Sequence, residues 1–202
     1  MKSPVYERNA FVFNIVKLLS GLVLSPFYKF EWRGLENLPE KDSFVLLPKH
    51  QRWEDIPLLG VAIPRSLYYM AKYELFLNFF SGWLLSSLGG IPVNRRRPME
   101  SRSSFDMMLN HLKDGEGVVI FPEGTYYKNI VGPGRKGLIK MVLNRFSIPF
   151  LPVGIKYTKT RLRTLVRIEV GEPVYSKSWD SNDEFLGYVM KEIARLSGLG
   201  GN

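Results

Sequence analysis

The chain has 202 residues, 45% hydrophobic and 23% charged, enough for one globular domain with a full core. It contains no cysteine and two histidines. Thiol nucleophiles, disulfides and cysteine-bound metals are thereby excluded, and only His50 and His111 can act as imidazole bases. With 28 Lys and Arg against 19 Asp and Glu, the formal charge is +9, which favours anionic partners: a phosphorylated substrate, an acidic membrane surface or nucleic acid.

Residues 10–28 are apolar apart from interruptions at Asn14, Lys17, Gly21 and Pro26. Phe11, Ile15, Leu18 and Leu22 lie along one helical face, with Val12, Val16, Leu19 and Val23 beside it, so such a helix must be buried in protein or in lipid. The neighbouring Lys2, Arg8, Lys17 and Lys29 favour a helix sunk into one leaflet, and residues 1–28 read as a membrane-associating segment. An ordinary buried helix is the alternative. Lys29 to Arg33 alternates like an edge strand, and Phe44-Val45-Leu46-Leu47 has the length and composition of a buried one.

Lys49-His50-Gln51-Arg52-Trp53-Glu54-Asp55 follows that buried strand and precedes a helix over Ile56–Ile63, with Pro57 in its first turn. His50 and Asp55 would point about 140° apart on a regular helix, so they can pair only across a turn. A carboxylate bound to one ring nitrogen fixes the tautomer and leaves the other free as a base. The competing role for Asp55 is to cap the helix. Leu67 to Ala71 reads as a second buried strand, completing a β-α-β unit and the signature of a partly parallel sheet.

Leu75 to Asn94 contains no charged residue in 20 positions. Asn78 and the Ser, Gly and Pro residues within it argue against a continuous span. The pattern predicts a helix over about Glu74–Leu88 and a strand at Ile91 to Val93. Phe76, Phe79, Phe80 and Trp83 make that helix aromatic, as core or as an acyl-chain groove or membrane-facing patch. Arg95-Arg96-Arg97 comes off the strand where guanidinium forks suit phosphate, ahead of a helix over about Met99–Lys113. His111, near the end of that helix, reads as structural.

Gly117 to Phe121 is a further buried strand, leading to Pro122-Glu123-Gly124-Thr125, whose polar side chains are expected to be exposed at the strand end. Gly132-Pro133-Gly134-Arg135-Lys136-Gly137 spells a dinucleotide fingerprint, but no strand precedes it and no acid follows at the right distance. A loop of Gly, Arg and Lys opening a helix still suits an anion. Strands at 150–155 and 164–170 and an amphipathic helix over Asp180–Ser197 complete an α/β domain. The fold expected is a mostly parallel mixed central sheet flanked by helices, with an N-terminal hydrophobic helical anchor.

Four blocks in order resemble the glycerolipid acyltransferases, in particular the 1-acylglycerol-3-phosphate acyltransferases. They are His50…Asp55, Gly89 to Arg95, Phe121 to Thr125, and Leu151-Pro152-Val153. The resemblance covers roughly residues 30–170 and implies an acyltransferase domain over residues 29–202. It implies that His50, oriented by Asp55, deprotonates lysophosphatidic acid for attack on acyl-CoA or acyl-carrier protein. No metal or other cofactor is implied. Arg95, with Arg135 and Lys136, would hold the acceptor phosphate, and Glu123, Gly124 and Thr125 its glycerol.

Two departures touch acceptor recognition. Lys49 and Arg52 replace the small polar residues usual around the histidine, and Tyr126 replaces the arginine usual after Thr125. Another acceptor, such as glycerol-3-phosphate, another lysophospholipid or a lyso-aminolipid, is the alternative. A non-enzymatic basic membrane module is a second one. Nucleic acid is not expected as a partner, since the longest aromatic stretch carries no charge. The expected place is peripheral or monotopic on the cytoplasmic face of the inner or cell membrane.

Overall fold

The computed structural model describes residues 8–94 and 101–199. Seven strands form one sheet in the order β1-β7-β6-β2-β5-β3-β4. They are β1 (Tyr28–Arg33), β2 (Phe44–Pro48), β3 (Leu67–Lys72), β4 (Gly90–Val93), β5 (Gly117–Val119), β6 (Phe150–Lys159) and β7 (Thr164–Val170). The sheet is mixed. Strands β6, β2, β5, β3 and β4 run in one direction, joined by parallel pairings. β7 returns antiparallel to β6, and β1 pairs parallel to β7, so these two run against the rest.

Side-chain alternation along β2 divides the core. Val45 and Leu47 face a cluster completed by α4 (Arg102–Lys113), α5 (Lys136–Leu143) and α6 (Asn182–Leu196). Phe44 and Leu46 face the opposite cluster, closed by α2 (Asp55–Ala62) and the end of α1 (Ala10–Leu24). Leu151, Val153 and Ile155 of β6 and Val119 of β5 lie on this second face. Continuing the alternation past the ends of β2 and β5, and along β6, brings His50, Phe121 and Tyr157 to the same side.

The segment between β3 and β4 differs from the single helix expected over Glu74–Leu88. A 3-10 turn covers Tyr73–Phe76, and α3 starts afresh at Phe79–Ser87. Asn78 is the reason, because its side chain caps the Phe80 and Ser81 amides. The aromatic stretch is not core. Phe79 is 90% exposed, and Leu75, Leu77, Phe80 and Trp83 are also on the surface. Phe76 alone of the group turns partly inward, beneath Gly90.

α1 is apolar on its outer side, where Phe11, Leu18, Leu22 and Val23 are exposed. Lys17 was expected to support membrane attachment, yet it points inward and donates to the Ile63 carbonyl at 2.9 Å. Ile63 is the C-cap of α2, so the ammonium satisfies a helix-terminal acceptor. Among the described residues no helix is long and apolar enough to cross a membrane.

The C-terminal helix closes over β6 at Gly154, where a Cβ would stand 2.3 Å from the Leu196 carbonyl carbon. Backbone presses on backbone there, so no rotamer change can make room. Gly154→Ala is expected to destabilise the fold by about 1–3 kcal/mol, in the range of other overpacking changes. Urea unfolding would read this as a lower midpoint at unchanged slope, and an unchanged midpoint would contradict the packing described.

Candidate active site

His50 and Asp55 meet across the turn that joins β2 to α2. The imidazole Nδ1 lies 3.1 Å from Asp55 Oδ2, and both residues are buried. Asp55 opens α2 but does not cap it. Its Oδ2 accepts from the Gln51 and Arg52 amides at 2.6 and 2.8 Å, upstream of the helix. The carboxylate therefore shapes the loop that carries the histidine and at the same time fixes its ring. With Nδ1 committed as a donor to Asp55, Nε2 is left as the basic nitrogen. The ring is further held by Phe121, stacked at 3.8 Å between centroids, and by Tyr126, tilted at 4.3 Å.

Glu123 is not where the sequence suggested. It is fully buried, and so is Lys49. Lys49 Nζ lies 2.9 and 2.8 Å from the two carboxylate oxygens of Glu123. The ammonium also donates to the carbonyls of His50 and Tyr127, so all of its protons have acceptors. Burial pushes the Lys49 ammonium below the usual lysine range, and its contact with Glu123 works against that. Glu123 in turn accepts from the His50 amide at 3.0 Å and the Gly132 amide at 2.7 Å. Its carboxylate thus binds the protein's own backbone, where a hydroxyl of a substrate had been expected.

Gln51 completes the frame. Its Nε2 donates to Ile155 of β6 at 2.7 Å, and its Oε1 accepts from the Asn129 amide at 2.8 Å. Tyr127 donates its amide to the His50 carbonyl at 2.9 Å. The loop from Phe121 to Arg135 is consequently laced to the His50 segment at several points, which is how Tyr126 comes to lie against the imidazole. Lys49, Gln51 and Tyr157 were not singled out as site residues in the sequence. The available signal was a lysine set directly between a wholly apolar strand and a histidine, a place that demands a buried partner.

The remaining expected positions separate. Gly124 has φ +68°, and the stem of Arg135 lies over it where a Cβ would meet Arg135 Cδ at 2.8 Å. Gly124, exposed Thr125 and exposed Arg135 therefore share one surface beside the loop. Lys136 is drawn away to α6 by an ion pair with Asp183 at 2.7 Å. Arg95 lies outside the described residues. Asn94, just before it, follows the carboxyl end of β4 at the same sheet edge as His50. An apolar cleft of about 240 Å³ runs between α1 and α2, lined by Val16, Leu19, Val23, Trp53 and Pro57, and it opens beside the turn that holds the dyad.

Residues 29–156 match the family described as Acyltransferase. The 1-acyl-sn-glycerol-3-phosphate acyltransferase of Bacillus subtilis is 33% identical over 145 residues, 69% of this chain and 71% of that protein. A chloroplastic 1-acyl-sn-glycerol-3-phosphate acyltransferase of Arabidopsis thaliana is 34% identical over 184 residues, 86% of this chain. The chain spans about half the length of this and another chloroplastic relative, 51% and 53%. In fold, it is similar to the crystal structure of the 1-acyl-sn-glycerophosphate acyltransferase PlsC from Thermotoga maritima. The TM-score is 0.75 at 24% identity, covering 94% of this chain and 78% of that one.

Removing one member of the Lys49–Glu123 pair strands the other in the interior. Lys49→Met is expected to cost about 3–5 kcal/mol. Lys49→Met combined with Glu123→Gln should cost less, because the glutamine remains an acceptor and leaves no buried charge. With Glu123→Gln measured alone as well, a double-variant loss equal to the sum of the two single losses in denaturant unfolding would show that the pair is not coupled.

Proposed function

Because the chain belongs to the Acyltransferase family, we propose that it transfers a fatty acyl group from an acyl thioester to the free hydroxyl of 1-acylglycerol-3-phosphate, giving phosphatidic acid. The observation that carries the reading is the His50–Asp55 contact at 3.1 Å, with the imidazole clamped between aromatic rings. His50 Nε2 takes the hydroxyl proton of the acceptor, and the oxygen attacks the thioester carbonyl. The carbon–sulfur bond then breaks, and His50 returns the proton to the departing sulfur, which leaves as the free thiol. No enzyme nucleophile is required, in keeping with a chain that has no cysteine. The donor is acyl-CoA or acyl-carrier protein, since both present the same thioester arm.

Arg135, Thr125 and Gly124, with Arg95 off β4, are the groups proposed to receive the acceptor headgroup. Glu123 supports them from within, by holding the turn. Tyr126 favours a second reading for the acceptor alone: an exposed phenol lies against the base at the position where the resembled family commonly has arginine, which suits another acceptor such as a related lysolipid or glycerol-3-phosphate. The cleft between α1 and α2 would take an acyl chain, because its lining is apolar and it ends at the dyad loop.

A membrane position fits the surface, with the active-site edge toward the lipid on the cytoplasmic side. The outer face of α1, the exposed aromatics of α3 and Phe27 supply apolar area. The β6–β7 turn adds exposed Lys159, Arg161 and Arg163 around Leu162, which is 91% exposed. Apolar side chains flanked by cations suit an anionic interface.

Thiol release from palmitoyl-CoA tests the chemistry, with lysophosphatidic acid, glycerol-3-phosphate and no acceptor compared. Lysophosphatidic acid should give the fastest release, and His50→Ala should lower it by about 10²–10⁴-fold in a folded protein. Asp55→Asn should keep the loop amides bound yet lose most activity. Undiminished turnover in His50→Ala would remove the assigned base. Sedimentation with vesicles tests the surface. The protein should pellet with phosphatidylglycerol vesicles, and replacing Phe79 and Phe80 together with Asp should release it to the supernatant. Equal pelleting of both proteins would rule out α3 as the contact.

A further inference from the structure

Asp55 is bound by more than the histidine it orients. Its Oδ2 receives His50 and the two loop amides, all from residues within five positions. Its Oδ1 receives the hydroxyl of Tyr157 at 2.5 Å, from β6 and 102 residues along the chain. Tyr157 comes to the site because it continues the Val153–Ile155 face of a strand four residues longer than its apolar run. Arg52 lies over its ring, with Cζ 4.3 Å from the centroid, and Tyr28 of β1 approaches it edge-on at 6.4 Å. Tyr28 in turn donates to Glu54 at 3.2 Å.

We propose, on the acyl-transfer reading of the dyad, that Tyr157 is a positioning residue of the reaction: its hydroxyl holds Asp55 Oδ1, keeps Oδ2 facing His50 Nδ1, and sets how strongly the carboxylate draws on the imidazole. A carboxylate held only through Oδ2 can pivot about its Cβ–Cγ bond. A donor on Oδ1 from a separate element stops that motion. The same donor withdraws negative charge from the carboxylate, since a hydrogen bond to an ionised acceptor stabilises the ionised form. The charged and titratable groups facing this point are His50, Arg52 and Glu54 on the loop, Lys49 at the end of β2, and Tyr28 on β1. Burial, with Asp55 and then Glu54 beside it, holds the Tyr157 phenol above the usual tyrosine range. The hydroxyl therefore keeps its proton while a histidine titrates, and it acts as a donor throughout.

Tyr157→Phe retains the ring and the Arg52 contact and removes only the donor. The Gln51 and Arg52 amides still keep Oδ2 beside His50 Nδ1, and without the phenol the carboxylate has more charge to offer the imidazolium, so the His50 titration moves to higher pH. With only two histidines in the chain, NMR of the imidazole nitrogens resolves this directly. His50→Ala assigns the signals, and His111, stacked on Tyr68, serves as an internal reference. In Tyr157→Phe the His50 midpoint should rise while that of His111 stays fixed. The value of kcat should fall roughly ten- to hundredfold, and the acid limb of its pH profile should move up with His50. Placing 3-fluorotyrosine at 157 supplies a more acidic donor and should move the His50 midpoint the other way. A His50 midpoint unmoved by either replacement overturns the proposal and leaves Tyr157 a packing residue. If Tyr157→Phe unfolds, the fluorotyrosine protein decides by the same measurement. The titration needs no substrate, so a His50 shift in a protein inactive on every acceptor would retain the positioning role and refute the acyl-transfer reading.

Discussion

Two opposite charges, Lys49 and Glu123, lie in the interior where β2 and β5 end. Isolated ions of this kind cost several kcal/mol to desolvate, so each must find every partner it can. The surrounding chain is arranged to supply them. Lys49 takes the His50 and Tyr127 carbonyls, and Glu123 takes the His50 and Gly132 amides. The peptide groups of His50 are thereby fixed on both sides before its ring makes any contact. His50 is held by its backbone, and the imidazole inherits that position.

The parts of this arrangement that obey local rules were legible in the sequence. Solid apolar runs marked β2 and β3 nearly to the residue, β7 was expected at 164–170 where it lies, and the strand-turn-helix order placed His50 and Asp55 on one turn. What depended on long-range pairing was not legible. Glu123 looks like an exposed turn residue until Lys49 is brought to it from 74 positions away. The reversal of β7 follows from its hairpin with β6, β1 joins β7 in parallel from the other end of the chain, and no alternation of side chains announces strand direction. Lys17 follows the same rule. A lone cation in an apolar helix can turn to lipid headgroups or to a neighbouring helix end, and only the position of α2 decides between them. The uncharged stretch after Leu75 offered core and surface equally, and Asn78 settled it by starting a new helix that faces outward.

The chemistry and the surface are linked through the sheet edge. His50, Tyr157, the β6–β7 turn and the end of β4 all lie at the carboxyl ends of the five codirectional strands, the usual place for ligands in such sheets. The apolar cleft between α1 and α2 reaches the same edge from the side of the exposed helix. A reactant with a long hydrocarbon tail and a charged head would meet apolar lining along one approach and cations along another, with the base between them.

The connection from α1 to the sheet has a mechanical consequence. Ser25, Pro26 and Phe27 are the whole link between Leu24 and Tyr28, and at full extension such a link reaches about 10 Å. It is not extended: Phe27 bonds back to Leu24, the Thr164 amide binds the Phe27 carbonyl, and Arg163 binds that of Ser25. α1 is therefore riveted to the sheet with no slack. For a helix seated in a leaflet, the height of His50 above the acyl chains becomes a fixed dimension of the molecule, like the stand-off of a tool on a rigid mount. On the acyl-transfer reading, a lysolipid acceptor would have to rise to His50 by that one distance, so bilayer thickness and headgroup packing would act on reach rather than on the shape of the protein.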